Sequence, residues 1–170
     1  MFMWIIAATS NSIRLGNTEV AHVYHFASGH TSGDSIVHFP DLGVVAMGDQ
    51  LALPNAVCDY LQGGSIPGWA QSIEAVLKLN FDMAIPGHRG DGQPNDPATR
   101  ADLEALRAKL DSITKNAIEL VKKRTPKDQL IAQIQAADPT TTVGAMLQNN
   151  LFYEQARIDL FYEEISRLAR

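Results

Sequence analysis

The stretch "VAHVYHFASGHTSGDSIVHFPDLGVVAMGD", residues 20–49, decides how this chain is read. It runs from a strand-like segment, VAHVYHF, into a glycine-bounded turn, GHTSGD at 29–34. It then passes through SIVHF and GVVAM to end in Gly48-Asp49. Short apolar or alternating runs bounded by Gly, Pro and Asp are strand signals. The same grammar returns at FDMAI, residues 81–85, which leads into Pro86-Gly87-His88. His30, Asp49 and His88 thus each follow a strand-like run and open a turn.

Outward from this stretch, SIRL forms a further strand before VAHVYHF, set off by the turn signal Gly16-Asn17. GVVAM is a continuous apolar run, which predicts a strand covered on both faces. A loop rich in turn residues follows Asp49 and leads to SIPGWAQSIEAVLKLN. There Trp69, Ile73, Val76 and Leu77 fall on one helical face, with Ser65 as the N-cap. Gly63-Gly64-Ser65 reads as the turn into that helix, not as a phosphate cradle.

From residue 93 onward the strand pattern stops. Asp96-Pro97 predicts a helix start, with proline at the first helical position. Leu103, Leu106, Leu110, Ile113, Ala117 and Leu120 then alternate steps of three and four, a narrow packing seam. A second helix is expected from Thr125-Pro126 to about Ala136. A short one falls between Thr140–Thr142 and Asn149-Asn150, and a last near Phe152–Leu168 carries Ile158, Phe161, Ile165 and Leu168 on one face. The chain therefore divides into a sheet-and-helix unit, 1–92, and a helical extension packed on it, 93–170.

With 170 residues, 45% of them hydrophobic, the chain can bury a substantial core. A net charge of −5 with 19% charged residues carries no basic footprint for nucleic acid or an anionic membrane. The single cysteine, Cys58, allows no internal disulfide, so a reducing compartment such as the cytoplasm is the default. The opening MFMWIIAATS is apolar through Ala8, with no preceding basic residue. It is too short to span a bilayer and reads as a buried or interface strand.

Strand ends that share one rim of a sheet bring their side chains together. Two imidazoles and a carboxylate on one rim would suit Zn, Fe or Mn better than Ca or Mg. Thr31 and Asp34 would support such ligands from behind, or cap the turn they sit in. The remaining polar candidates read more plainly. His22 and His25 are three apart on a strand and point to opposite faces. His38 sits mid-strand as a satisfied polar or half-exposed residue. Cys58 lacks both a CxxC partner and an obvious base, so it is structural.

The run LGNTEVAHVYHFASGHTSGDSIVHFPDLGVVAMGDQL, followed by GGSIPGWAQSIEAVLKLNFDMAIPGHRG, resembles the C-terminal half of a metallo-β-lactamase superfamily domain. The order GHTxGD, strand, strand ending in GD, GGS and helix, strand ending in PGH is specific in combination. It covers about residues 9–92. The resemblance implies that His30, Asp49 and His88 are metal ligands. It also implies half of an αββα sandwich, one mixed sheet with covering helices, plus a C-terminal helical region. The family's other ligands come from an H-x-H-x-D-H motif in the N-terminal half, and that motif does not occur in these 170 residues.

Three functional expectations follow. One is a metal-dependent hydrolase of esters, amides, thioesters or phosphoesters, holding one weakly bound Zn or completing its site from a partner chain, with Fe and Mn as other candidate ions. Another is a non-catalytic module that dimerises or binds protein. The third is a truncated piece of a longer metallohydrolase. The sheet face normally covered by the other half is expected to be covered by a second copy of this chain, giving a homodimer. Apolar surface for that contact would come from MFMWII, VVAM and the leucine seam.

Overall fold

The computed structural model describes residues 9–15, 19–53, 57–89, 96–140, 143–147 and 154–170. The MFMWII segment, the Gly16-Asn17 turn, Gly90 and Asn149-Asn150 lie outside these residues.

Five strands form one sheet in sequence order: β1 (Thr9–Leu15), β2 (Glu19–His25), β3 (Ile36–Phe39), β4 (Val44–Leu53) and β5 (Met83–Arg89). The first four are antiparallel neighbours, while β4 and β5 run parallel. A parallel neighbour needs a crossover, and α1 (Ile66–Val76) supplies it. Four more helices follow: α2 (Arg100–Lys122), α3 (Lys127–Ala137), α4 (Val143–Leu147) and α5 (Glu154–Leu168). The chain is thus α/β, with one mixed sheet, covering helices and a C-terminal helical region.

Ser65 caps α1 by accepting from the Gly68 amide at 2.8 Å, the N-cap expected from its position ahead of the apolar face. Trp69, Ile73 and Val76 are fully buried on that face. They meet Ile36, Val45, Met47 and Ala84 of the sheet in one core, which continues into Leu103, Leu110, Ile113 and Ala117 of α2. The leucine seam is therefore spent inside the chain. Only Leu106 and Leu120 of the seam keep partial exposure.

The start of α2 differs from the sequence reading. Residues 96–99 are not helical. Ala98 instead exchanges both backbone hydrogen bonds with Ala84, at 2.8 Å each, as a one-residue bridge along β5. The helix begins after Thr99, whose side chain and that of Asp102 form a reciprocal capping box. This pair satisfies two amide donors, whereas Asp96-Pro97 would have left Ala98 unable to reach β5. Arg100 then donates to Leu77 O (2.6 Å) and Leu79 O (2.9 Å) and lies 4.3 Å above the Phe81 ring. It locks the head of α2 onto the turn between α1 and β5.

Among the described residues, GVVAM is covered on one face only. Val45 and Met47 are fully buried against the helices, while Val44 and Ala46 are half-exposed. Residues paired across a sheet stand on the same face. The opposite face therefore carries Val23, Val37, Ala46 and Ile85 in one row, and Phe39, Val44 and Met83 in the next. Ile13, Met83 and Ile85 there are 52%, 41% and 49% exposed.

Candidate metal centre

Asp49, inside β4, meets His88 near the end of β5 and His30 in the loop after β2, so β4 does not stop at Asp49 as the sequence reading expected. Gly48, just before it, has φ +52°, a left-handed conformation that glycine adopts without a Cβ penalty. The register between β4 and β5 shifts at this point. Gly87 faces the same irregularity from β5. A Cβ there would sit 2.5 Å from Gly48 C and 2.7 Å from Asp49 Oδ1. These two glycines let β5 approach closely enough for His88 Nδ1 to reach Asp49 Oδ1, 2.5 Å away.

His30 comes in from the other side, with Nε2 3.7 Å from Asp49 Oδ2. Its Nδ1 lies 2.7 Å from Val57 O. A carbonyl oxygen only accepts, so Nδ1 carries the proton and the Nε2 lone pair faces Asp49. His88 obeys the same logic, because its Nδ1 meets a carboxylate. Its ring is the most open of the three, with the side chain 74% exposed against 36% for Asp49 and 24% for His30. The three residues read from the sequence thus stand together on one rim, with Asp49 in the middle.

The donor set suits Zn, Fe or Mn. The 3.7 Å between His30 Nε2 and Asp49 Oδ2 is close to the roughly 3.4 Å separating two donors on one tetrahedral ion with bonds of about 2.1 Å. His88 spends its near nitrogen on Asp49, and among the described residues no three donors already surround a common point. Two donors therefore fit as they stand, and the third needs a turn of an exposed ring.

Thr31 and Asp34 cap their turn. Asp34 Oδ1 accepts from the Thr31 amide (3.0 Å) and hydroxyl (2.7 Å). Among the described residues Asp34 Oδ2 is buried without a partner, as are both amide atoms of Gln50, and both side chains crowd the space a Cβ on Gly29 would take. The other histidines are satisfied where they stand. His38 is buried and donates to Asn80 O at 2.8 Å. His25 donates to Asp34 O at 2.8 Å, and His22 Nδ1 lies 2.8 Å from Ser12 Oγ on the opposite face. Cys58 is fully buried, and burial, with the nearby Glu164, Asp34 and Asp59 carboxylates, pushes its thiol far up. It is no thiolate nucleophile.

The sequence reading missed a layer behind His30. Asp59 donates its amide to His30 O at 2.8 Å, and Ser32 donates its amide to Gln62 O at 3.0 Å. Tyr60 and Ser65 each donate a hydroxyl to Glu164 on α5, at 2.6 Å. Arg157, also on α5, approaches Asp59 Oδ1 with Nε at 3.4 Å. The available signal was the α5 face itself. Arg157 and Glu164 are charged residues at helical spacing with Phe161, inside the stripe that packs inward.

No protein-family model matches this chain, and no curated protein does. Solved structures do. A stereoselective inverting sec-alkylsulfatase from a Pseudomonas species superposes with a TM-score of 0.58 at 15% identity, over 91% of this chain and 25% of its own. A double mutant of that sec-alkylsulfatase gives 0.54 at 18% identity, over 68% and 19%. The DIM-1 metallo-β-lactamase gives 0.44 at 21% identity, over 54% of this chain. The match spans only 42% of the DIM-1 chain and 41% of the chain of a second lactamase, VMB-1. At these identities the likeness is one of fold alone, and the sec-alkylsulfatase carries it: this chain has part of the same kind of α/β fold, with a helical region at its C-terminal end.

Proposed function

We propose that this chain is a metallo-β-lactamase-like half-domain derived from a metal-dependent hydrolase, presenting His30, Asp49 and His88 as one side of a metal centre. The observation that carries the reading is the convergence of two imidazoles on one carboxylate at a single sheet rim. A bound zinc ion would supply Lewis acidity toward a carbonyl or phosphoryl oxygen. The chain's own part is to hold the donors. Val57 O keeps the Nε2 lone pair of His30 directed at Asp49, and Asp49 keeps His88 at the rim. With three donors, one of them turned aside, the isolated chain binds one ion weakly and does not turn over a substrate unaided. Further ligands come from a partner chain or segment. Calorimetric titration with zinc tests this: weak binding, abolished by His30→Ala, is expected. Sub-nanomolar binding that survives His30→Ala and His88→Ala would overturn it.

A second, compatible reading is a dimerising module, favoured by the apolar rows on the open sheet face. We propose that a second copy of the chain covers them, sheet on sheet, in a two-fold contact on the order of 2,000 Å2. Sedimentation equilibrium at micromolar concentration decides it, and a soluble folded monomer would refute it.

A further inference from the structure

We infer that α5 acts as a clamp on the candidate metal centre, with Glu164 as the positioning residue for His30; this rests on the metal-site reading above. The loop 57–65 touches His30 twice: Val57 O takes the ring proton, and the Asp59 amide bonds the His30 carbonyl. That loop is not held by the sheet alone. Its Cys58 amide donates to Met146 O of α4 at 2.8 Å. Tyr60 is buried, stands edge-on to Phe161 with ring centroids 5.8 Å apart, and donates to Glu164 Oε2. The other oxygen of the same carboxylate takes the Ser65 hydroxyl, while Ser65 accepts from Gly68 at the head of α1. The Tyr60 hydroxyl in turn accepts from the Ile66 amide at 3.0 Å.

One side chain of α5 therefore ties the middle of the loop that orients His30, at Tyr60, to its far end at Ser65. Charge-assisted hydrogen bonds of 2.6 Å are among the strong ones, and a ligand's orientation depends on the groups that hold its other nitrogen. Arg157 adds a second tie. It is only 9% exposed, its Nη1 has no partner among the described residues, and its Nε lies 3.4 Å from Asp59 Oδ1. A buried guanidinium so poorly paired is costly for packing alone, and here it presses on the residue whose amide holds His30.

The test uses the full chain carrying Glu164→Gln, Tyr60→Phe or, as a control for lost packing on α5, Ile165→Val. Two quantities are read: imidazole nitrogen shifts and Nδ1 proton exchange of His30 in metal-free protein, and zinc affinity by competition. Glu164→Gln should mix the His30 tautomers, speed proton exchange at least tenfold and weaken zinc about tenfold. Tyr60→Phe, which keeps the ring and loses one tie, should move both in the same direction by less. Ile165→Val should lower the thermal midpoint and leave His30 alone. If both test variants leave His30 unchanged while melting earlier, the clamp is refuted and α5 is only structural. Should Glu164→Gln fail to fold, Tyr60→Phe decides by the same readout. Should the wild-type chain take no zinc, the metal reading falls, and the His30 signals of the metal-free protein still judge the clamp.

Discussion

The two faces of the sheet are built from the same strands and nearly the same residue types, yet they have opposite fates. On one face Ile36, Val45, Met47 and Ala84 are fully buried beneath α1 and α2. On the other, Val37, Ala46 and Ile85 form an equally apolar row, and Ile85 is about half exposed. Apolar surface left in water is a standing driving force for association. The difference teaches that, among the described residues, one face carries a complete core while the other is only partly covered, with the candidate metal rim at the edge between them.

The comparison breaks most visibly on the covered face. Trp69 fills the core and donates its indole N–H to Gln50 O at 3.0 Å. Trp69→Ala should cost about 3–5 kcal/mol, enough to unfold many domains. Denaturant melts followed by circular dichroism measure it.

At the edge, Gly87→Ala should cost about 1–3 kcal/mol, since the new methyl meets backbone and the Asp49 carboxylate together. It should also separate His88 from Asp49, which the His88 ring signals report. A variant as stable as wild type would show that the close approach of β5 to β4 is not needed.

On the open face, Ile85→Lys should leave the fold within about 0.5 kcal/mol of wild type, because the side chain is already half in water. Its effect should fall on association, weakening a dimer at least tenfold in sedimentation. A loss of stability like that of Trp69→Ala would mean the two faces are equally covered and would end the contrast.

The smallest effect lies away from both faces. Asp138 accepts from Thr140 and Ser112, and those hydrogen bonds hold its carboxyl below the ordinary carboxylate range. A lowered folded-state pKa stabilises above the unfolded value, near 4, and the gain fades as pH falls through the folded value. Asp138→Asn should lower stability slightly near pH 7 and flatten its dependence below about pH 4, where variant and wild type converge. The acid limb of a thermal-melt series checks this.

Much of the fold was legible beforehand because its signals are local. Strand runs, the Ser65 cap and the Trp69 face depend on neighbours a few residues away. Period and turn chemistry are written into adjacent residues, yet of the three candidate ligands only His30 stands in a turn, while Asp49 and His88 lie inside β4 and β5, which run on past them. What tertiary structure alone decided is everything that depends on distant partners. Ala98 leaves the helix because β5 offers it two hydrogen bonds across a gap in sequence. Val45 is buried and Val44 half-exposed because helices lie on only one side of β4. The His30 ring is oriented by Val57, and Val57 sits in a loop held from α5 by a carboxylate near the far end of the chain. Hydrogen bonds and burial act through space, and a residue pattern records them only where the chain comes back to itself at short range.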